Sequence, residues 1–192
     1  MLVRLDDHAT GARVATDLVN TAPEVAVSTG DLVADPAALG RFLAAHDLAS
    51  LATPTDDDVA AVRALRATLR ALLDDPASLA DGAGELTART GVGPVLVRHG
   101  GRWEWWVRSR PGAGIADELA LLAGTGLLGV LRALGPDRFR HCAAPTCAGA
   151  FVDTSRAGRR RYCEPDVCGN RVNVANHRAR RRAARAAAPD AD

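Results

Sequence analysis

The sequence predicts an α+β protein, with a mainly helical N-terminal domain that carries one β-hairpin and a small C-terminal unit that ends in a basic helix. Apolar residues recur at helical spacing through much of residues 1–136, a Gly-Gly turn separates two strand-like segments there, and all four cysteines lie beyond that range. A chain of 192 residues with 47% hydrophobic content can bury one core and still carry an appended unit. We therefore predict two domains, residues 1–136 and residues 137–192.

Helices account for most of the N-terminal domain. Asp35 followed by Pro36 is typical of a capped helix start and predicts a helix to about residue 48. Thr55 and the acidic residues after it begin a second helix, whose apolar stripe continues until Pro76. Further helices are predicted over residues 77–89 and 114–134. Residues 8–30 fit a helix or a strand equally well.

The hairpin is predicted by residues 94–99 and 102–108, which join at the Gly-Gly turn. All three tryptophans, Trp103, Trp105 and Trp106, lie on its second strand. We favour the interpretation that Trp103 and Trp105 cover the helices on one face of the sheet. The alternative is that they line an apolar ligand pocket between the hairpin and the helices.

Three glycines in the helix predicted over residues 114–134 have the spacing of a dinucleotide-binding fingerprint. That fingerprint requires a strand end followed by a helix start, whereas Gly124, Gly126 and Gly129 lie inside a helical apolar pattern. Small residues that let helices pack closely explain them better.

Charge is divided unevenly along the chain. Residues 1–137 contain 12 arginines and 18 acidic residues, a balance of −6, whereas residues 138–192 contain 12 arginines and 5 acidic residues, a balance of +7. A basic end on an acidic body indicates that only this end meets a polyanion. The alternative is a basic end that pairs with its own acidic domain. The N-terminus does not resemble a secretory signal, and no apolar run approaches the roughly 20 residues that span a bilayer, so we expect a cytoplasmic protein without a membrane partner.

The four cysteines carry the clearest chemistry. Cys142 and Cys147 enclose four residues, Cys163 and Cys168 enclose four more, and fifteen residues separate the pairs. Two short loops that each offer two thiolates suit tetrahedral zinc, and four protein ligands leave no position for water. One structural zinc is therefore predicted. Two disulfides or an iron centre are the alternatives. Between the pairs, residues 151–153 and 161–162 are predicted to form short strands that pair across a turn at residues 154–158.

Residues 172–188 contain neither Gly nor Pro and are rich in Ala, which predicts a helix. Several arginines fall on one stripe of this helix, and an apolar stripe that begins at Val172 is expected to pack. Such arginines can contact phosphates and guanine edges of duplex DNA, although a solvated basic helix is the alternative. The predicted nucleic-acid contacts are Arg159, Arg160, Arg161, Arg171, Arg178, Arg181, Arg182 and Arg185.

The segment Cys168-Gly169-Asn170-Arg171 resembles the signature of the CGNR zinc-finger family. The match includes both cysteine pairs, Phe151, Asp153 and the Arg161-Tyr162-Cys163 approach. Upstream, Leu18-Val19-Asn20-Thr21, Asp31-Leu32, Asp35-Pro36-Ala37-Ala38-Leu39 and Leu65-Arg66 are similar to the ABATE domain that accompanies this finger. The resemblance implies a stress-linked bacterial transcription regulator whose finger binds DNA. Family members often carry Lys where Asn173 stands and Ser where Glu164 stands, and these two departures reduce the positive charge.

Together these features predict a cytoplasmic, nucleoid-associated DNA-binding regulator with a treble-clef-like or ribbon-like zinc finger. Its N-terminal domain is expected to respond to a small-molecule effector or a partner, and a homodimer would read two half-sites. The alternatives are an RNA-binding or protein-docking finger and an enzyme in the N-terminal domain. The finger offers only Phe151 and Tyr162 for base stacking, which disfavours single-stranded RNA. No nucleophile motif is recognisable, so no enzymatic activity is predicted.

Overall fold

The structure is a computed structural model that describes the backbone of residues 1–186 and the side chains of residues 1–182. The elements are β1 (Leu2–Arg4), α1 (His8–Val19), α2 (Pro36–Ala45), α3 (Asp56–Asp74), α4 (Leu79–Thr90), β2 (Gly91–His99), β3 (Arg102–Ser109), α5 (Ile115–Leu134), β4 (Phe139–His141), β5 (Ala150–Val152) and α6 (Asn170–Ala186). A 3-10 turn (Pro136–Arg138) precedes β4, and a π-helical turn (Pro165–Gly169) leads into α6. The predicted α+β class is confirmed. Among the described helices, none has the length and apolarity needed to cross a membrane.

The helix starts follow local side-chain chemistry. Asp35 accepts the backbone N–H of Ala38 at 2.7 Å, which caps α2 as predicted. In α3, Thr55 Oγ1 accepts the Asp58 N–H at 3.3 Å and the Asp58 carboxylate accepts the Thr55 N–H at 3.0 Å, a reciprocal capping box. Residues 8–30, for which the sequence fits a helix or a strand equally well, form α1, which Asp7 caps, and then turns.

Helix α5 lies in the centre of the N-terminal core, between α1 and α4. Gly126 faces Gly11 of α1, where a Cβ atom on Gly126 would overlap the Ala12 backbone. On the other side, a Cβ atom on Gly124 would lie 2.8 Å from the carbonyl oxygen of Ala83 in α4. The predicted close helix packing is therefore confirmed, and these glycines do not form a strand-to-helix phosphate loop.

The N-terminal sheet has three antiparallel strands in the order β1-β3-β2. Strand β1 was not predicted, because three residues are too few to show an alternating pattern. Register places Trp103, Trp105 and Val107 on the helix-facing side of β3, the side that carries buried Val3. Val107 packs against the core, but Trp103 and Trp105 are 68% and 54% exposed. The favoured interpretation that both cover helices is therefore wrong; they line a cavity instead.

Strand β5 pairs with β4 and not with residues 161–162, so the predicted hairpin across residues 154–158 is wrong. The observed register places Phe139 opposite Val152. Both side chains are buried in the cluster formed with α1, α3 and α5, which gives this pairing apolar contacts that an exposed Arg161 would not supply.

The hydrophobic core continues past residue 136. Phe139, Ala150 and Val152 belong to the same cluster of buried residues as α1, α3 and α5. Helix α1 also bonds directly to the edge of β5: Thr16 Oγ1 accepts the Val152 N–H at 3.0 Å, and the Asn20 amide bonds both the N–H and the carbonyl of Ala150 at 3.1 and 2.8 Å. The predicted domain boundary stays a prediction, and the structure joins the two sides of it through β5.

Three of the upstream positions that carry the second resemblance, Thr21, Asp31 and Arg66, are joined by hydrogen bonds. Arg66 donates two hydrogen bonds to the Asp31 carboxylate, at 2.7 and 2.8 Å, and one to Thr21 Oγ1 at 3.1 Å. The hydrogen bonds from Arg66 lower the pKa of Asp31 from its ordinary 3.8 to about 2. This cluster ties the loop after α1 to α3.

Candidate metal centre and nucleic-acid interface

Two turns and one helix start position the four cysteines. Cys142 directly follows β4, and its N–H extends the ladder by donating to the Gly149 carbonyl at 2.8 Å. Cys147 closes a turn on the Ala144 carbonyl at 3.0 Å. Cys168 lies in the π-helical turn, where its N–H donates to the Glu164 carbonyl at 2.7 Å. The end of β4, a turn and the π-helical turn before α6 thus supply Cys142, Cys147 and Cys168 to the cluster that Cys163 completes.

The four sulfur atoms have the spacing of a tetrahedral metal site. All lie within 4.8 Å of one another, and the distances among Cys147, Cys163 and Cys168 are 3.6, 3.7 and 3.8 Å. Zn–S bonds of about 2.3 Å require tetrahedron edges of about 3.8 Å, so the donor set and its spacing fit zinc. All four are free thiols and not the two disulfides of the alternative interpretation. The four cysteines form a zinc-binding site, and four thiolates complete the coordination of a structural ion.

The surroundings of the thiols shift their pKa values in different directions. Burial raises the pKa of Cys163, and burial together with Cys147 raises the pKa of Cys168 to about 11. Burial also acts to raise the pKa of Cys142, but hydrogen bonds from the backbone N–H groups of Ala144 and Cys163 outweigh it and the pKa falls. Gly149 packs directly against the cluster, because a Cβ atom at this position would lie 2.6 Å from Cys163 Sγ.

Arg160 stabilises the second cysteine loop from inside the finger. Its Nε donates to the Tyr162 carbonyl at 2.9 Å, and its Nη2 donates to the Cys163 carbonyl. The guanidinium lies 4.8 Å from the centre of the fully buried Phe151 ring. Arg160 was predicted to contact nucleic acid, and sequence reasoning missed this internal role. Its half-buried side chain differs from exposed Arg159 and Arg161 on either side.

Asp153 anchors the segment 155–160 that leads to Cys163, and it is fully buried. It accepts the backbone N–H groups of Ser155 and Arg160 at 3.0 and 2.9 Å, the Ser155 hydroxyl at 2.6 Å, and Arg140 at 3.4 Å. Burial acts to raise the pKa of Asp153, but the hydrogen bonds from Ser155 and Arg160 and the charge of Arg140 prevail and lower it. Arg138 donates to the carbonyl oxygens of Asp153 and Ser155 as well, at 3.1 and 2.7 Å. Three arginines of the basic region therefore serve the finger's own structure.

His141, at the end of β4, reaches away from the metal. Its Nε2 lies 2.8 Å from an Asp74 carboxylate oxygen in α3, and Arg70 holds the same carboxylate at 2.9 Å. Burial acts to raise the pKa of Asp74, but the hydrogen bonds from Arg70 and His141 lower it. Arg70 also donates to the Ala148 carbonyl at 2.5 Å. These contacts join the loop that carries Cys142 and Cys147 to α3.

The remaining predicted contacts lie on the surface. Between residues 170 and 182, every side chain of α6 is exposed except half-buried Val172. The expectation that an apolar stripe of α6 packs is therefore wrong for Ala175 and Ala179, which are exposed because the main contact of α6 is the π-helical turn. The stripe's Ala183 and Ala186 side chains lie outside the described residues. The exposed predicted arginines are Arg159, Arg161, Arg171, Arg178, Arg181 and Arg182. The Arg185 side chain lies outside the described residues.

The comparison with known families agrees with this geometry. Residues 138–181, 44 of the 192 in the chain, match the CGNR zinc finger family. The matched region contains all four cysteines and the first part of α6. No curated protein matches the chain.

Proposed function

We propose that this protein is a bacterial DNA-binding transcription regulator that acts at the nucleoid in the cytoplasm. The zinc finger holds α6 in place, and exposed arginines on α6 and in the loop before Cys163 contact duplex DNA. The N-terminal domain is an ABATE-like regulatory domain of a stress response. A homodimer would present two such helices to two half-sites.

The exposure of α6 is the observation that carries the proposal. The side chains of α6 described over residues 170–182 are exposed except half-buried Val172, so the arginines among them are accessible to a binding partner. Its arginines are charged at every physiological pH, and a helix of this diameter fits the DNA major groove. Because Arg160 is used inside the finger, the proposed contacts outside α6 are Arg159 and Arg161.

Two observations favour duplex DNA over single-stranded RNA. Phe151 is fully buried. Tyr162 is half-buried and packs against Gly169, where an added Cβ atom would lie 3.3 Å from the Tyr162 ring. Neither ring is therefore free to stack on an unpaired base. The basic region that remains suits phosphate contacts along a groove.

The test compares charge reversals on two faces of the same helix. Arg178 and Arg182 share a face, whereas Arg180 lies about 200° around the helix from Arg182. Binding to a pool of random DNA duplexes is measured by fluorescence anisotropy over a range of salt concentrations. We expect Arg182→Glu to weaken binding strongly and Arg180→Glu to weaken it much less. The double variant Arg178→Glu, Arg182→Glu should flatten the slope of log affinity against log salt by roughly two, about 0.9 for each phosphate that an arginine no longer neutralises.

Zinc content and circular dichroism should be the same in all variants, because these side chains are exposed. Equal losses of affinity for Arg180→Glu and Arg182→Glu would refute the recognition face. Tighter binding to a pool of single-stranded RNA than to duplexes would favour the RNA-binding alternative. Sequencing of the retained duplexes would identify the target site.

A further inference from the structure

A cavity of about 730 Å³ lies between the N-terminal sheet and α5. Its apolar walls come from Leu5 directly after β1, from Trp103, Trp105 and Val107 on β3, and from Leu128 on α5. Small-molecule sites have volumes of roughly 300–1,000 Å³ and apolar, aromatic linings, so this cavity has the size and composition of a ligand site.

The helical layer covers the two ends of β3 unequally, and Trp103 and Trp105 lie at the less covered end. Val107 and Ser109, near one end of β3, face the core, and Ser109 is buried. Trp103 and Trp105 lie on the same face toward the other end, and both are more than half exposed. Leu96, opposite Trp105 on β2, is half exposed as well. Indole rings left uncovered on one side of a cavity favour stacking with a flat apolar ligand.

A polar group without a partner lies in the same cavity wall. Thr125 of α5 lines the cavity and is only 5% exposed, and its buried hydroxyl has no hydrogen-bond partner among the described residues. Leaving such a hydroxyl unpaired destabilises a folded protein, so sites of this kind are commonly satisfied by a ligand or a water molecule. An orphan hydroxyl beside aromatic walls indicates a ligand with at least one polar atom.

Charged side chains lie in and beside the cavity wall. Two acidic residues, Asp6 and Glu104, line the cavity and share one arginine, Arg4, which lies 2.8 Å from Asp6 and 3.4 Å from Glu104. Arg132, an exposed residue in the last turn of α5, also lines the cavity and forms no ion pair within residues 1–182. The Arg132 guanidinium therefore has no acidic partner among these residues, and a guanidinium binds a carboxylate through two parallel hydrogen bonds.

We propose that this cavity binds a planar aromatic carboxylic acid, with its ring against Trp103 and Trp105 and its carboxylate at Arg132. This inference rests on the regulatory role proposed for the N-terminal domain and names the chemical class of its effector. Binding is measured on the full chain without DNA, so its failure and a failure of DNA binding are separate results.

The probe is 2-naphthoate, titrated into the zinc-loaded protein by isothermal calorimetry. We expect saturable one-to-one binding, and about tenfold weaker binding of 2-naphthamide, which has nearly the same shape but no charge. Arg132→Gln should weaken 2-naphthoate binding about tenfold and leave 2-naphthamide unchanged. Arg41→Gln is the matched control, because Arg41 is exposed on α2 and does not line the cavity. Trp105→Ala should weaken both probes about tenfold.

All three variants change exposed side chains, and circular dichroism should show an unchanged fold. Absence of saturable 2-naphthoate binding would overturn the proposal. Equal affinities for 2-naphthoate and 2-naphthamide, or equal effects of Arg132→Gln and Arg41→Gln, would overturn the assignment of the carboxylate to Arg132.

Discussion

Replacing Arg160 by Gln should weaken zinc binding, although the residue touches neither sulfur nor metal. Arg160 donates to the carbonyl oxygens of Tyr162 and Cys163, and it stacks on Phe151. These contacts hold the loop that presents Cys163, which supplies a buried ligand. A change that loosens this loop therefore acts on the metal through the position of its ligand.

The magnitude follows from the interactions that the substitution removes. A hydrogen bond from a charged donor contributes about 1.5 kcal/mol at the low end of its range, and a cation–π contact at a partly exposed site adds about 0.5 kcal/mol. Gln retains part of the hydrogen bonding, so the net loss of interaction free energy in the loop is about 2 kcal/mol. Folding of so small a unit is coupled to metal binding, and this loss should appear as about a 30-fold lower zinc affinity.

The assay is competition for zinc against a chromophoric chelator at neutral pH. Arg159→Gln is the matched control, since Arg159 is the exposed neighbour of Arg160 and carries the same charge. Arg160→Lys keeps the charge but loses the planar fork, so it should recover little of the affinity. Equal zinc affinities for Arg159→Gln and Arg160→Gln would refute the reasoning, and Arg160 would return to the set of proposed DNA contacts.

The remaining predictions concern the metal, one ion pair and one helix contact. The protein should carry one zinc per chain by elemental analysis, and Cys163→Ser should abolish its retention; intact disulfides without metal, or iron in place of zinc, would contradict this. Asp31→Asn should lower the free energy of unfolding by about 2 kcal/mol at pH 7, because Arg66 lowers the pKa of the native Asp31 carboxyl from 3.8 to about 2. The sign of that shift means that the stabilisation is complete above about pH 4 and is lost as the pH falls through 2, so denaturation curves of parent and variant should converge in acid. Gly126→Ala should destabilise the protein by about 2 kcal/mol or more, since its Cβ would overlap α1, whereas Gly84→Ala, with open space around it, should leave stability unchanged or raise it by up to about 1 kcal/mol.

The sequence alone determined the features that depend on residues close together in the chain. Helix capping at Asp35 and Thr55 uses backbone groups three residues away, so the starts of α2 and α3 were predicted correctly. The turn at Gly100 and Gly101 is equally local, because both residues adopt positive φ. The metal centre was predictable from the chemistry of four thiols, since two pairs with short loops leave few other arrangements for zinc ligands.

The tertiary structure decided which surface each residue meets. Strand β5 could pair on either side, and burial of Phe139 and Val152 in the core formed with α1, α3 and α5 selected β4. Adjacent arginines have the same local propensity, and only the placement of the buried Phe151 ring separates Arg160 inside the finger from Arg159 at its surface. Contacts of this kind join residues that are distant in sequence, and their free energy depends on the area that folding removes from water, a quantity that no local pattern encodes.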